Sequence, residues 1–169
     1  LTVTRPAEAA EARWSEIDLT AGTWTIPAGR MKMRREHVIP LSSQALAVLE
    51  AMKPVSAHRD YVFPGYKNPQ MPMNRQTVNV ALKRMGFKGV LVSHGMRAIF
   101  STAANEEGFE PDVIEAALAH IDTNDVRRAY NRSTYFEKRV VLMRWWGEFV
   151  EAASTGVTLA SGTRGIRIA

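Results

Sequence analysis

Ser93-His94-Gly-Met-Arg97-Ala-Ile-Phe100-Ser-Thr-Ala-Ala104 is the stretch around which the rest of the chain falls into place. The pattern predicts a helix opening at or just before Ser93, with Gly108 stopping it. His94 and Arg97 are three residues apart, so both face one side and can reach the same anion. Phe100 and Ala104 continue that side, which places the pair on a partly buried flank. A buried arginine must be paired or must serve a ligand. By itself the spacing also fits a solvated helix face.

Outward from this helix, the segment from Asp112 predicts another, with Ile114, Ala117 and Leu118 packing inward and His120 just past its end. Asp122-Thr-Asn124 reads as a turn, and Asp125 begins a short segment presenting Tyr130. A last helix over 134–152 carries Leu142, Trp145, Trp146 and Phe149 at i, i+3, i+4 and i+7, a strong apolar stripe. Upstream, Pro6 suits a first helical turn and residues 6–14 are rich in helix formers. Thr23-Trp-Thr-Ile26 alternates like a half-buried strand and His37-Val-Ile39 reads as its returning partner, so Lys32 falls near their connection. Ser42 reads as the N-cap of a helix over 43–52 with Leu46 and Leu49 inward, ended by Pro54. Residues 65–73 are loop. Asn74 caps a helix through Met85 whose face carries Val78, Leu82 and Met85. The expected architecture is mainly α with a small antiparallel β-sheet (α+β). It forms one domain over 1–153, followed by a flexible tail over 154–169.

The 169 residues include 22 Lys and Arg against 17 Asp and Glu, a net charge of +5 that favours a polyanionic partner, most simply nucleic acid. No cysteine is present, which excludes disulfides and thiolate metal sites and fits a reducing cytoplasm. No apolar run is long enough to span a membrane, so no membrane partner is expected. His37, His58, His94 and His120 show no metal-ligand spacing and no dense carboxylate cluster exists, so neither metal nor cofactor is expected. The start at Leu1, with no cap before the first helical pattern, reads as a fragment of a longer protein.

Several residues have chemistry to offer and an ordinary alternative beside it. Arg5 and Glu8 could be a helix-terminal ion pair worth little. Lys32 lies in the basic run Arg30-Met-Lys-Met-Arg34-Arg35, a solvated loop or a set of phosphate contacts. His120 could cap a helix C-terminus, and Tyr130 could be a core aromatic. Tyr135 competes with it as the reactive phenol, although the neighbouring Phe136 and apolar stripe make Tyr135 look like packing.

In order, Thr4-Arg5-Pro-Ala-Glu8, Trp14-Ser-Glu-Ile-Asp18, Met31-Lys32, His37-Val-Ile-Pro-Leu41, His94-Gly-Met-Arg97, Leu118-Ala-His120 and Ala129-Tyr130 resemble the catalytic domain of the tyrosine recombinases, the phage-integrase family. The likeness covers roughly residues 1 to 150. The basic run, Ala129-Tyr-Asn-Arg132 and Trp145-Trp146 look most like its prophage and genomic-island branch. The resemblance implies that fold, and a site-specific recombinase that cleaves and rejoins DNA through a 3′-phosphotyrosyl intermediate. Arg5 and Arg97 would clamp the scissile phosphate, and His94 and His120 would complete the pocket. Lys32 would protonate the leaving 5′-hydroxyl, Tyr130 would attack phosphorus, and Glu8 would orient the first arginine. Arg30, Arg34 and Arg35 would touch DNA. The implied partners are double-stranded attachment sites, three further protomers completing a tetramer on DNA, and accessory DNA-bending proteins, all at the bacterial nucleoid.

Two positions depart from the family pattern: Ala119 stands where Gly commonly precedes the second histidine, and Thr2-Val3-Thr4 replaces a Thr-Gly approach to Arg5. The chain also starts after the catalytic domain's usual first helix, which would leave apolar surface exposed. A type IB topoisomerase shares the tyrosine chemistry and is the competing enzyme reading. A DNA-binding or assembly module without catalysis is the competing reading from another class. A helix-turn-helix repressor fits less well, since no recognition helix stands out between 74 and 107.

Overall fold

The computed structural model describes residues 1–32, 34–120 and 125–156, with the backbone alone for 125–134. The order is α1 (Pro6–Ala10), β1 (Ile17–Asp18), β2 (Thr23–Ile26), β3 (His37–Pro40), α2 (Ser43–Ser56), α3 (Thr77–Leu82), α4 (Gly95–Glu107), α5 (Pro111–Ala117) and α6 (Asp125–Ser154). The strands form one antiparallel sheet in the order β1-β2-β3, with Trp24 opposite Ile39 and Ile26 opposite His37.

Two apolar cores follow from the sequence patterns. The alternation in β2 puts Trp24 and Ile26 inward, where they meet Ala12, Met31, Ile39, Leu49 and Val62. The second core joins Phe100 and Ala104 of α4 to Val113, Ile114 and Ala117 of α5 and to Leu142, Met143 and Trp146 of α6. Phe100 meets Trp146 edge-on at a centroid distance of 5.2 Å. Ser42 caps α2 through Ala45 N–H at 3.3 Å, and Gly108 ends α4 in the left-handed region at φ 93°. An apolar cleft bordered by Leu1, Met73, Met96, Ile99 and Phe149 runs between the N-terminal segment and the helices.

The structure corrects four element boundaries. α1 stops at Ala10 because the chain after it pairs with another segment: Trp14 N–H donates to Asp60 and Val62 N–H to Ala12. Pro54 lies inside α2, which runs on to Ser56. The proline removes only the bond to the carbonyl of exposed Glu50, which water can serve. Buried Ser56 pins this last turn by donating to the Val62 carbonyl at 2.7 Å and accepting from the Trp14 indole at 3.2 Å. α3 ends at Leu82, and a wide turn with Gly86 at φ 94° swings Met85 out to solvent. Finally, the short segment expected around Tyr130 and the helix expected over 134–152 are one continuous helix, α6. No glycine or proline interrupts it before Gly147. The turn expected at 122–124 lies outside the described residues, as does the tail from 157 onward.

Candidate active site

The site is organised by the end of α5. Leu118 is its C-cap, Ala119 follows in the left-handed region at φ 51°, and the chain turns back on the helix. Ala119 N–H donates to Ala116 at 3.2 Å and His120 N–H to Glu115 at 3.0 Å, the paired bonds of a Schellman ending. These satisfy two of the carbonyls that a helix C-terminus leaves open. The Leu118 and Ala119 carbonyls each receive a donor from a basic side chain.

Arg97 reaches the turn from α4. Its side chain is buried and uses both terminal nitrogens: Nη1 donates to the Val3 carbonyl in a short contact, and Nη2 to the Leu118 carbonyl at 2.7 Å. Nη2 also lies 3.3 Å from His120 Nε2. An arginine can only donate, so Nε2 accepts, and the histidine proton belongs on Nδ1. Nδ1 lies 2.7 Å from Glu115, which takes that proton's hydrogen bond. Burial holds the Arg97 guanidinium below its ordinary pKa, with the like charge of Arg5 acting in the same direction.

Arg5 arrives from the N-terminal segment as the N-cap of α1. Its Nη1 is 2.9 Å from buried Glu8, whose other oxygen accepts the Arg5 backbone N–H at 2.7 Å. Its Nη2 makes a long 3.5 Å contact with the Ala119 carbonyl. Arg5, Arg97 and His120 thus come from three separate stretches and meet at one turn. Two guanidinium groups face one buried carboxylate, Glu8, while the exposed carboxylate of Glu115 lies on the His120 side, so the arginine forks sit together at one turn where an anion could be gripped.

The other expected residues stand apart from these contacts. His94 occupies the exposed N-cap position of α4, one turn before Arg97. Lys32 is exposed in the connection between β2 and β3, as are Arg34 and Arg35. Arg30 differs from its neighbours in being partly buried: it pairs with Glu16 and donates to the Glu8 carbonyl at 3.0 Å. Glu16 also accepts from the Trp24 indole at 3.1 Å, so Arg30 ties the connection to the sheet. Tyr130 sits on the backbone of α6, and its side chain lies outside the described residues. The Tyr135 hydroxyl donates to Asp112 at 3.0 Å, and its ring packs on the helical core. Among the described residues no cluster of three His, Asp or Glu side chains is placed to hold a metal ion.

Three residues escape the sequence patterns used above. Glu115 fixes the tautomer of His120, and its only signal is a carboxylate one turn before a histidine at a helix end. Arg139 donates from α6 to the Val38 carbonyl at 2.8 Å. Its signal is position, since it extends the buried stripe of Leu142, Met143 and Trp146 by one turn. His37, in the quoted His37-Val-Ile-Pro-Leu41 motif, is partly buried with the charges of Arg139, Glu8 and Arg5 around it, and burial pushes its pKa down to about 4.

Comparisons with known proteins bear on the family and the fold. The model of the family described as "Phage integrase family" matches residues 1–137. Prophage integrase IntA of Escherichia coli K12 is 62% identical over 99% of this chain and 41% of its own length. The integrase of Enterobacteria phage P4 is 36% identical over 89% of this chain and 38% of its own. The chain thus spans about two fifths of the length of these relatives. The crystal structure of a XerA recombinase superposes with a TM-score of 0.60 at 18% identity, covering 78% of this chain and 52% of that one, a likeness of fold. With the family match extending over most of the described domain, this chain belongs to the phage integrase family, the tyrosine recombinases.

Proposed function

We propose that residues 1–153 form the catalytic domain of a site-specific recombinase that cuts and rejoins double-stranded DNA to integrate or excise a prophage or genomic island. The convergence of Arg5, Arg97 and His120 on the 118–120 turn carries this reading. Arg5 and Arg97 bind the non-bridging oxygens of the scissile phosphate, and their preorganised charge stabilises the crowded transition state. The Tyr130 oxygen bonds to phosphorus as the bond to the 5′-oxygen breaks. The phenolic proton passes to a pocket histidine, and Lys32 supplies the proton that the leaving oxygen takes. The phosphotyrosyl ester keeps the bond energy, so reversal reseals a strand without a nucleotide cofactor. His94, at the mouth of α4, and His120 complete the pocket, while Arg34 and Arg35 hold the DNA backbone. Four protomers on two attachment sites, assisted by DNA-bending proteins, carry out two rounds of exchange.

The test is covalent capture on a nicked duplex taken from the ends of the element that encodes the protein. Cleavage releases a short strand and traps a denaturation-resistant adduct, which peptide mass mapping should locate on Tyr130. Tyr130→Phe is expected to abolish it. An adduct on Tyr135 would keep the chemistry and replace the nucleophile. DNA binding without any adduct would instead support a non-catalytic module.

A further inference from the structure

Between α3 and α4 the chain is loosely held. Residues 83–90 are exposed throughout, and the connection bends at Gly86 and Gly89, with φ of 94° and 79°. At its end, Ser93 and His94 are the central residues of a turn that Gly95 N–H closes on the Val92 carbonyl at 2.8 Å. His94 occupies the N-cap position of α4 but makes no side-chain cap bond. A serine or aspartate there would lock the helix start by itself, whereas a histidine whose ring serves the phosphate does not. The lock comes from another element. Asn79 of α3 accepts the Ser93 backbone N–H on its Oδ1 at 2.8 Å. A backbone N–H can only donate, so this bond fixes which end of the amide faces the turn. The other end, Nδ2, donates to Gln76 Oε1 at 2.9 Å.

We infer that Asn79 is a positioning residue for His94: through the Ser93 N–H it sets where α4 begins, and so where the His94 ring stands beside the arginine pocket. The inference rests on the reading of that pocket as a phosphate site in which His94 takes part.

α3 can serve as a reference because it is tied to the element that carries Arg5. Asn74 starts it, with Oδ1 accepting Gln76 N–H at 2.8 Å and the carbonyl accepting Thr77 N–H at 2.9 Å. Arg75 Nε then donates to Glu11 at 2.9 Å, and Glu11 is the C-cap of α1, the helix that Arg5 opens. This ion pair is partly solvated, so it orients more than it stabilises. Buried Leu82 seats the far end of α3. One run of contacts therefore leads from Arg5 to His94 without passing through Arg97: α1, Glu11, Arg75, α3, Asn79, Ser93. Arg97 lies one turn further into α4, where Val3, Leu118 and His120 hold it. Loss of the Asn79 acceptor would loosen His94 and leave the arginine grip in place.

Amide exchange and cleavage kinetics on this chain test the inference. The Ser93 N–H, at a helix start where such groups ordinarily meet water, should exchange far more slowly than the exposed amides of 83–90. Equal rates would overturn the inference without any substitution. Single-turnover cleavage of the nicked duplex is then followed in Asn79→Leu, Asn79→Asp, His94→Ala and the Asn79→Leu, His94→Ala pair, with duplex affinity measured alongside. The leucine variant, lacking an acceptor, should cleave about tenfold more slowly at unchanged affinity. Asn79→Asp keeps the acceptor oxygen, and Gln76 can turn its amide to donate to it, so cleavage should return to nearly the parent rate. In the His94→Ala background the leucine change should add nothing further. If it slows both backgrounds equally, or if aspartate fails to restore the rate, Asn79 does not act through His94. Parent-like cleavage by the leucine variant with only a lower melting temperature reduces Asn79 to local stability. A parent chain that forms no adduct removes the recombinase reading and the inference with it, whereas a cleaving parent beside an equally fast leucine variant removes Asn79 alone. Should the leucine variant fail to fold, Asn79→Ala, the better helix former, takes its place.

Discussion

Arg97 shows how much one side chain is asked to do. Its fork serves the Val3 carbonyl, the Leu118 carbonyl and His120 Nε2 at once, and lysine cannot reproduce that planar geometry. Arg97→Lys is expected to lower strand cleavage by about 100-fold or more, the scale of losing one preorganised donor. It should also cost about 1–3 kcal/mol of stability through the carbonyls left unpaired in denaturant unfolding. Ala119 is a second residue where sequence and backbone disagree. It adopts φ 51° at the position where a Schellman ending favours glycine. Ala119→Gly should stabilise the fold by up to about 1 kcal/mol, the left-handed penalty exceeding the entropy cost of glycine. Val3 is likewise left-handed, at φ 48°, and its carbonyl is one of those Arg97 grips. Both departures from the family pattern were visible as residue changes. That each sits beside a carbonyl bound by Arg97 or Arg5 was not, because spacing carries no information about φ or about backbone acceptors.

Elements were most legible where a local signal needed no distant partner. The Ser42 cap, the inward Trp24 and Ile26, the stop at Gly108 and the α6 stripe all emerged as read. Boundaries failed where tertiary pairing overrode propensity, as at α1, whose expected extension is taken up by the segment at 60–62. The two halves of α6 were read apart because the stripe begins well after Asp125, although nothing in between breaks a helix. The contact of α6 with α2 offers a sharp test. A Cβ placed on Gly147 would lie 2.8 Å from Ser42 Cβ and 2.7 Å from its Oγ, against the cap that starts α2. Gly147→Ala should therefore destabilise the chain by about 1–3 kcal/mol, the cost of overpacking, despite the better helix propensity of alanine. Thermal unfolding would read this as a lower Tm.

Across the whole molecule, His37 links stability to acidity. Its pKa falls from 6.5 to about 4 on folding, so between those values the unfolded chain binds the extra proton. Stability should therefore be full above the ordinary histidine range and decline as pH falls toward 4, by at most about 3 kcal/mol from this residue. Urea unfolding from pH 7.5 down to 4 checks the sign, and His37→Gln should show a shallower decline than the parent. The charge balance and the ordered set of basic residues made the phage integrase family legible from sequence. What joins the sheet to the helical core was not legible, since Arg139 acts through the Val38 carbonyl, distant in the chain.

The unbroken run of α6 makes it a lever. Position 130 and Trp146, which is seated against Phe100, lie about 24 Å apart along one rigid rod. Because Arg139 fastens that rod to the sheet between its ends, a small shift in the aromatic seat becomes a displacement at the far end, with the fastening as fulcrum. Under the proposed chemistry, reshaping Trp146 would then alter the timing of strand attack while every group around the phosphate keeps its place.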